Sequence, residues 1–157
     1  MPAEKITPVS LTGGCQCGEI RYAINAPPLT FYCCHCTDCQ QQSSSGFGMS
    51  VWVSREAFSL TRGELAFWET RGESGAVKRC AFCSHCGSRL YHCGAEPVSQ
   101  LSIKGGSIDQ IASLSPIAHI WARSAQPWIN LSELPGVSFE KEPPDDQTLI
   151  DLWCQEN

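Results

Sequence analysis

The sequence predicts a mostly β domain with short helices, one of them C-terminal, on three observations. Short runs of β-branched and aromatic residues recur along the chain, broken by glycine. Closely spaced cysteines with adjacent glycines mark tight turns between some of those runs. A length of 157 residues with 42% hydrophobic content suits one packed core.

Taken in order, Glu19–Ile24 alternates and reads as a strand after the Cys15–Cys17 turn. Phe47–Val53, Phe58–Thr61, Leu65–Thr70 and Gln100–Ile103 have β-type composition. Leu90–His92 follows a second cysteine turn directly, and Ile117–Trp121 is a further apolar run behind Pro116. Pro143–Asn157 reads as a helix instead. Asp145 or Asp146 can cap it, and Leu149, Leu152 and Trp153 fall on one face at i, i+3 and i+4. The chain divides into an N-terminal tail (1–10), a main domain (11–135) and an extension (136–157) whose short helix packs on that domain.

Charge and hydropathy narrow the partners. A net charge of -5, without basic–aromatic stripes, argues against nucleic acid. A small anionic ligand in a local basic pocket stays compatible with it. No stretch is long and apolar enough to span a bilayer, and Met1–Gly14 lacks the features of a signal peptide. The expected location is the cytoplasm.

Eleven cysteines are the outlier. In a reducing compartment they do not read as a disulfide framework, and the odd count leaves one thiol over in any case. Their spacing is the better guide. Cys15–Cys17 and Cys34–Cys36 are CxC steps, while Cys36–Cys39 and Cys83–Cys86 are CxxC steps. Short pairs on turns present two thiolates to one metal, and thiolate sets select zinc or iron–sulfur clusters.

Gly13-Gly14-Cys15-Gln16-Cys17-Gly18 and Phe82-Cys83-Ser84-His85-Cys86-Gly87 together supply four thiolates. Glycine after each pair lets the backbone turn tightly. Four thiolates satisfy a closed tetrahedral zinc site, which would clamp the N-terminal hairpin to a distant turn and contribute about 10 kcal/mol to folding. Buried free thiols are the alternative, and they leave the glycine-flanked pairing unexplained.

Cys34-His35-Cys36-Thr37-Asp38-Cys39 differs in offering three cysteines and no obvious fourth partner. Three protein ligands with an open position is the pattern of a reactive zinc. A thiol entering that position binds as thiolate and stays nucleophilic, because three thiolates already leave the ion with a charge of about −1. In the alternative, a spare cysteine or His35 closes the site and it is structural. Cys33 competes with Cys34 through a Cys33-xx-Cys36-xx-Cys39 run, and Cys80 stands three residues before Cys83. Those two, with Cys93 and Cys154, read as ordinary buried or half-buried thiols. His35 and His85 read as exposed spacers on metal turns, and His92 and His119 as core histidines.

With these residues in view, the sequence resembles the glutathione-dependent formaldehyde-activating enzyme family, which includes centromere protein V-like domains. The likeness rests on GGCQCGEIRY at 13–22, CHCTDC at 34–39, FCSHCGSRL at 82–90 and AHIWARSAQPW at 118–128. It implies an Mss4-like fold of zinc-ribbon type with two zinc centres per chain. By that match Cys15, Cys17, Cys83 and Cys86 hold a structural zinc, and Cys34, Cys36 and Cys39 hold an open, catalytic one. The implied activity is carbon–sulfur lyase chemistry, joining glutathione to formaldehyde as S-hydroxymethylglutathione. Lys104, Arg123 and His119 are candidates for holding glutathione's carboxylates or the oxyanion. Trp128 and Phe47 are candidate pocket walls, with core packing as the alternative.

One departure stands out. Gln40, Gln41 and Gln42 follow the cluster where the family often has Arg-Lys-type residues, so less positive charge awaits an anionic thiol. The competing reading is a non-catalytic scaffold with two structural zincs. A methionine sulfoxide reductase is a third reading, suggested by Lys78-Arg79-Cys80, but it has no use for the middle cluster.

Overall fold

The computed structural model describes residues 10–72 and 74–157, so the tail expected over 1–10 falls outside it except for Ser10. The strands are β1 (Leu11–Gly14), β2 (Arg21–Ile24), β3 (Thr30–Cys34), β4 (Gly48–Ser54), β5 (Phe58–Arg62) and β6 (Ala66–Arg71). They continue with β7 (Val77–Phe82), β8 (Arg89–Cys93), β9 (Gln100–Lys104), β10 (Ala118–Ile120) and β11 (Val137–Ser138). Two α-helices complete the order, α1 (Thr37–Ser43) and α2 (Asp146–Glu156). The expected class holds: the chain is mostly β, with a helix at its C-terminal end.

The strands form two sheets. One is three-stranded, β1-β2-β5; the other is eight-stranded, β11-β10-β3-β4-β9-β8-β7-β6. Pairing is antiparallel except where β10 runs parallel to β3 and β11. Each expected strand is present with ends shifted by a residue or two, whereas β1, β3, β7 and β11 were not anticipated.

β3 sits where both faces are covered, and all five of its residues are buried. Alternation along it sends Phe31 and Cys33 one way and Tyr32 and Cys34 the other. Phe31 and Cys33 share a face with Val51, Leu101 and Ile103, the core side of the large sheet. That face meets the small sheet through rings: Phe58 of β5 lies 5.3 Å from Tyr91 of β8 and 5.1 Å from Tyr22 of β2.

The opposite face is polar. Tyr32 pairs with Ser50, Ser50 with Lys104, Trp52 with Ser102, Ser102 with His92, and His92 with Cys80. Cross-strand partners share a face, so these side chains stand together on one side of the sheet.

The C-terminal helix packs over part of that face. Asp145 caps α2 by accepting from the Thr148 amide at 2.9 Å, and Leu149 and Trp153 are buried. Thr30 of β3 donates its hydroxyl to the Leu149 carbonyl at 2.9 Å. Among the described residues, no helix is long and apolar enough to cross a membrane.

Candidate metal centres and active-site cleft

The first cysteine set brings two turns together. Cys15 and Cys17 lie in the β1–β2 turn, and Cys83 and Cys86 lie in the β7–β8 turn. Gly18 (φ 81°) and Gly87 (φ 80°) close the turns in the left-handed region, where a side chain is strained. The four Sγ atoms lie within 4.8 Å of one another, with Cys15–Cys17 at 3.5 Å and Cys17–Cys83 at 3.8 Å. A tetrahedron with zinc–sulfur bonds of the usual length needs sulfurs about 3.8 Å apart, so the donor set fits that ion.

Neighbouring groups support these sulfurs. The Ile20 amide donates to Cys15 Sγ at 3.2 Å. Ser88 Oγ lies 3.2 Å from Cys86 Sγ and accepts from the Gln16 amide at 3.1 Å. The Ser88 hydroxyl, joined by backbone donors, draws the Cys86 thiol down to about 5. Ser88 had no signal in the sequence, because its contact with Gln16 spans the two turns.

The second set is Cys34 at the end of β3, Cys36 at the N-cap of α1 and Cys39 in its first turn. Their Sγ atoms also lie within 4.8 Å of one another, and no fourth cysteine, histidine or carboxylate joins them among the described residues. Cys36 Sγ accepts from the Cys39 amide at 3.3 Å, so one sulfur both faces the cluster and starts the helix. Contacts with Cys34 and then Cys39 hold the Cys36 thiol well below its ordinary value, while the same contacts push Cys34 up. Such a cluster loses its first proton readily and its last reluctantly, which favours a cation among the sulfurs. Cys33 stays on the core face, where burial pushes its thiol up to about 12.

His35 corrects an expectation. Read as an exposed spacer, it is instead 0% exposed. Its Nε2 lies 2.9 Å from His119 Nδ1, and His119 Nε2 lies 3.0 Å from the Pro135 carbonyl. The carbonyl can only accept, so His119 carries its proton on Nε2 and His35 donates from its own Nε2. Burial pushes His35 down to about 4 and also lowers His119, which keeps both rings neutral. The pair braces the Cys34–Cys36 turn from behind.

A cleft of about 580 Å³ opens over the second set, lined by all three cysteines together with Tyr32, Lys78, His92 and Trp121. Its far bank is residues 142–146 of the extension, with Glu142, Asp145 and Asp146. The Lys104 ammonium donates to His92 Nδ1 at 2.8 Å. Burial pushes His92 well below 6.5 and Lys104 down to about 8. A separate cleft of about 1020 Å³ lies between the first set and α1, with Phe47, Met49, Arg89 and Lys104 in its walls.

The model of the glutathione-dependent formaldehyde-activating enzyme family matches residues 10–124, which hold all seven clustered cysteines. The chain belongs to that family. The match ends at residue 124, ahead of the acidic bank of the cleft at residues 142–146. This member is also similar to a crystal structure of a Rhodobacter sphaeroides protein, with 14% identity and a TM-score of 0.49, covering 81% of this chain and 97% of that one.

In this glutathione-dependent formaldehyde-activating family member, the expected ligand-holding residues have unequal settings. Lys104 is half-buried beside the cleft and reaches it through His92. His119 is buried with both ring nitrogens engaged. Arg123 is exposed and lies over the Trp121 ring at 5.5 Å. Phe47 walls the larger cleft, whereas Trp128 is 75% exposed, so core packing is wrong for it. Cys80 and Cys93 are buried as expected, whereas Cys154, expected to be at least half-buried, is exposed on α2.

Proposed function

We propose that this protein adds the thiol of glutathione to a small aldehyde such as formaldehyde, giving S-hydroxymethylglutathione. The observation that carries the reading is a three-thiol cluster, one ligand short, on the wall of a cleft. Pockets of roughly 300–1,000 Å³ are the usual size for small-molecule sites, and this cleft falls in that range.

Cys34, Cys36 and Cys39 would hold a zinc ion, which when bound would supply an open position that keeps an incoming thiol deprotonated. The remaining work belongs to the chain. The sulfur–carbon bond forms as the carbonyl π bond breaks, and the aldehyde oxygen takes up the charge and then a proton. His92 donates a hydrogen bond to that oxygen, and as its ring proton is passed on, the Lys104 ammonium at Nδ1 replaces it. With Nδ1 accepting from Lys104, its other ring nitrogen carries the proton and serves the cleft that His92 lines. Lys104 acts through His92 by fixing its tautomer, and His119 acts through His35 by holding the cysteine turn. Arg123, beside Trp121 at the cleft wall, is available to a carboxylate that projects outward. The first cysteine set is architectural in this reading, and a reducing compartment such as the cytoplasm suits eleven reduced thiols.

Two measurements test it. Metal analysis should find about two zinc ions per chain, falling to about one in Cys36→Ser. Exchange NMR of glutathione with formaldehyde should give faster adduct formation with the zinc-loaded protein than in buffer. An unchanged rate would leave the two-zinc scaffold as the function.

A further inference from the structure

The cleft over the second cysteine set does not end at its own walls. A smaller hollow of about 210 Å³ adjoins it, sharing Tyr32, Trp52, Lys78 and His92. The two form one trough along the polar face of the large sheet, from the cysteines at one end to β7, β8 and β9 at the other. Ser102 lines the far end. It is 5% exposed, and its Oγ has no hydrogen-bond partner among the described residues. A buried hydroxyl without a protein partner is unfavourable to the fold, and a polar group bound in the trough would complete it.

Lys78 lines the same hollow as Ser102, on the face of β7 that carries Cys80, and it lines the cleft over the cysteines as well. Among the described residues the ion pairs are Arg21–Asp109 and Arg79–Glu69, so Lys78 has no carboxylate partner. The opposite bank is set the other way. Glu142, Asp145 and Asp146 line the trough near the cysteines, and an anion placed there meets like charge. The field therefore runs from acidic at the extension to basic at Lys78.

We infer that the trough is built for a thiol that carries a carboxylate, with the sulfur at Cys34, Cys36 and Cys39 and the carboxylate received by Lys78 and Ser102. The assignment rests on the thiol-addition reading and adds what that reading lacks, the residues that choose the thiol. Lys78 supplies the charge, Ser102 a short hydrogen bond, and the acidic bank fixes direction by repelling the reversed pose. It also answers the missing basic residues after Cys39. Positive charge is provided from β7 across the sheet rather than from the helix of the cluster.

Binding tests this separately from turnover. Saturation-transfer NMR titrations of the zinc-loaded protein would compare glutathione with its diethyl ester, which keeps the thiol and loses both carboxylates. Glutathione should bind the wild type, and the ester about tenfold more weakly. Lys78→Met should weaken glutathione about tenfold and leave the ester unchanged. Ser102→Ala should weaken glutathione by a few-fold while keeping or raising the thermal midpoint, since it deletes an unpartnered hydroxyl. Equal affinity for the two thiols, or Lys78→Met binding glutathione as the wild type does, would overturn the inference. Binding that follows this pattern without any acceleration of adduct formation would sink the proposed reaction and leave the trough. Acceleration without the pattern would do the reverse.

Discussion

Lys104 holds its charge at a cost that a pH series can read. Burial pulls its ammonium down to about 8 from 10.5, so between those values the unfolded chain binds a proton that the folded chain has released. Stability from this group therefore rises with pH across that window, and below it the penalty is constant. Lys104→Met should match or exceed the wild type in urea unfolding near neutral pH, and its advantage should shrink by about pH 10. Ser88 offers a second test. Its hydroxyl supports Cys86, and the loss of such a partner typically weakens a metal site by about tenfold or more. Ser88→Ala should lose metal to a chelator at correspondingly lower concentration, whereas Ser84→Ala should not. At this scale the cysteines were legible because their spacing is local. His92 and Ser102 were not, because they become neighbours only through the register of β8 with β9.

The two helices show what a sequence pattern can and cannot carry. α2 was legible because its cap and its apolar stripe are both written in consecutive residues. Asp145→Ala should cost about 1 kcal/mol, and Leu149→Ala about 3 kcal/mol, each measured by chemical denaturation. The second figure is larger because Leu149 fills the contact with β3, whereas the cap is exposed. α1 carried no such signal. Its seven residues, TDCQQQS, have no apolar stripe, and its start depends on a cysteine sulfur standing in for the usual serine or aspartate. It ends at Ser44, in the left-handed region (φ 51°), where glycine would be expected. β3 carries no clear strand pattern for a related reason: all five of its residues are buried, so its two faces do not alternate in polarity, and Cys33 and Cys34 part to opposite faces only in the folded sheet.

For the molecule as a whole, the class and the two cysteine sets were readable, and the arrangement of the sheets was not. Which strands neighbour one another depends on pairings between distant segments, such as β3 with β10, that no local run announces. Cys15→Ser should therefore do more than remove a ligand. It should lower the thermal midpoint sharply and abolish one metal equivalent, whereas Cys36→Ser should remove the other equivalent with a smaller loss of stability. The reason lies in the connection made by the first set. Its turns belong to different sheets, β1–β2 to the small one and β7–β8 to the large one. Cys17 and Cys83 are 66 residues apart, so a shared ion would close a loop that a disulfide of that length would stabilise by about 4 kcal/mol through lost chain entropy. Unlike a disulfide, such a cross-link would open without any change of redox state. Chelation would release a covalently intact chain whose amide protons in β1, β2 and β5 exchange with solvent well before those of β3, β4 and β9, and added metal would close it again.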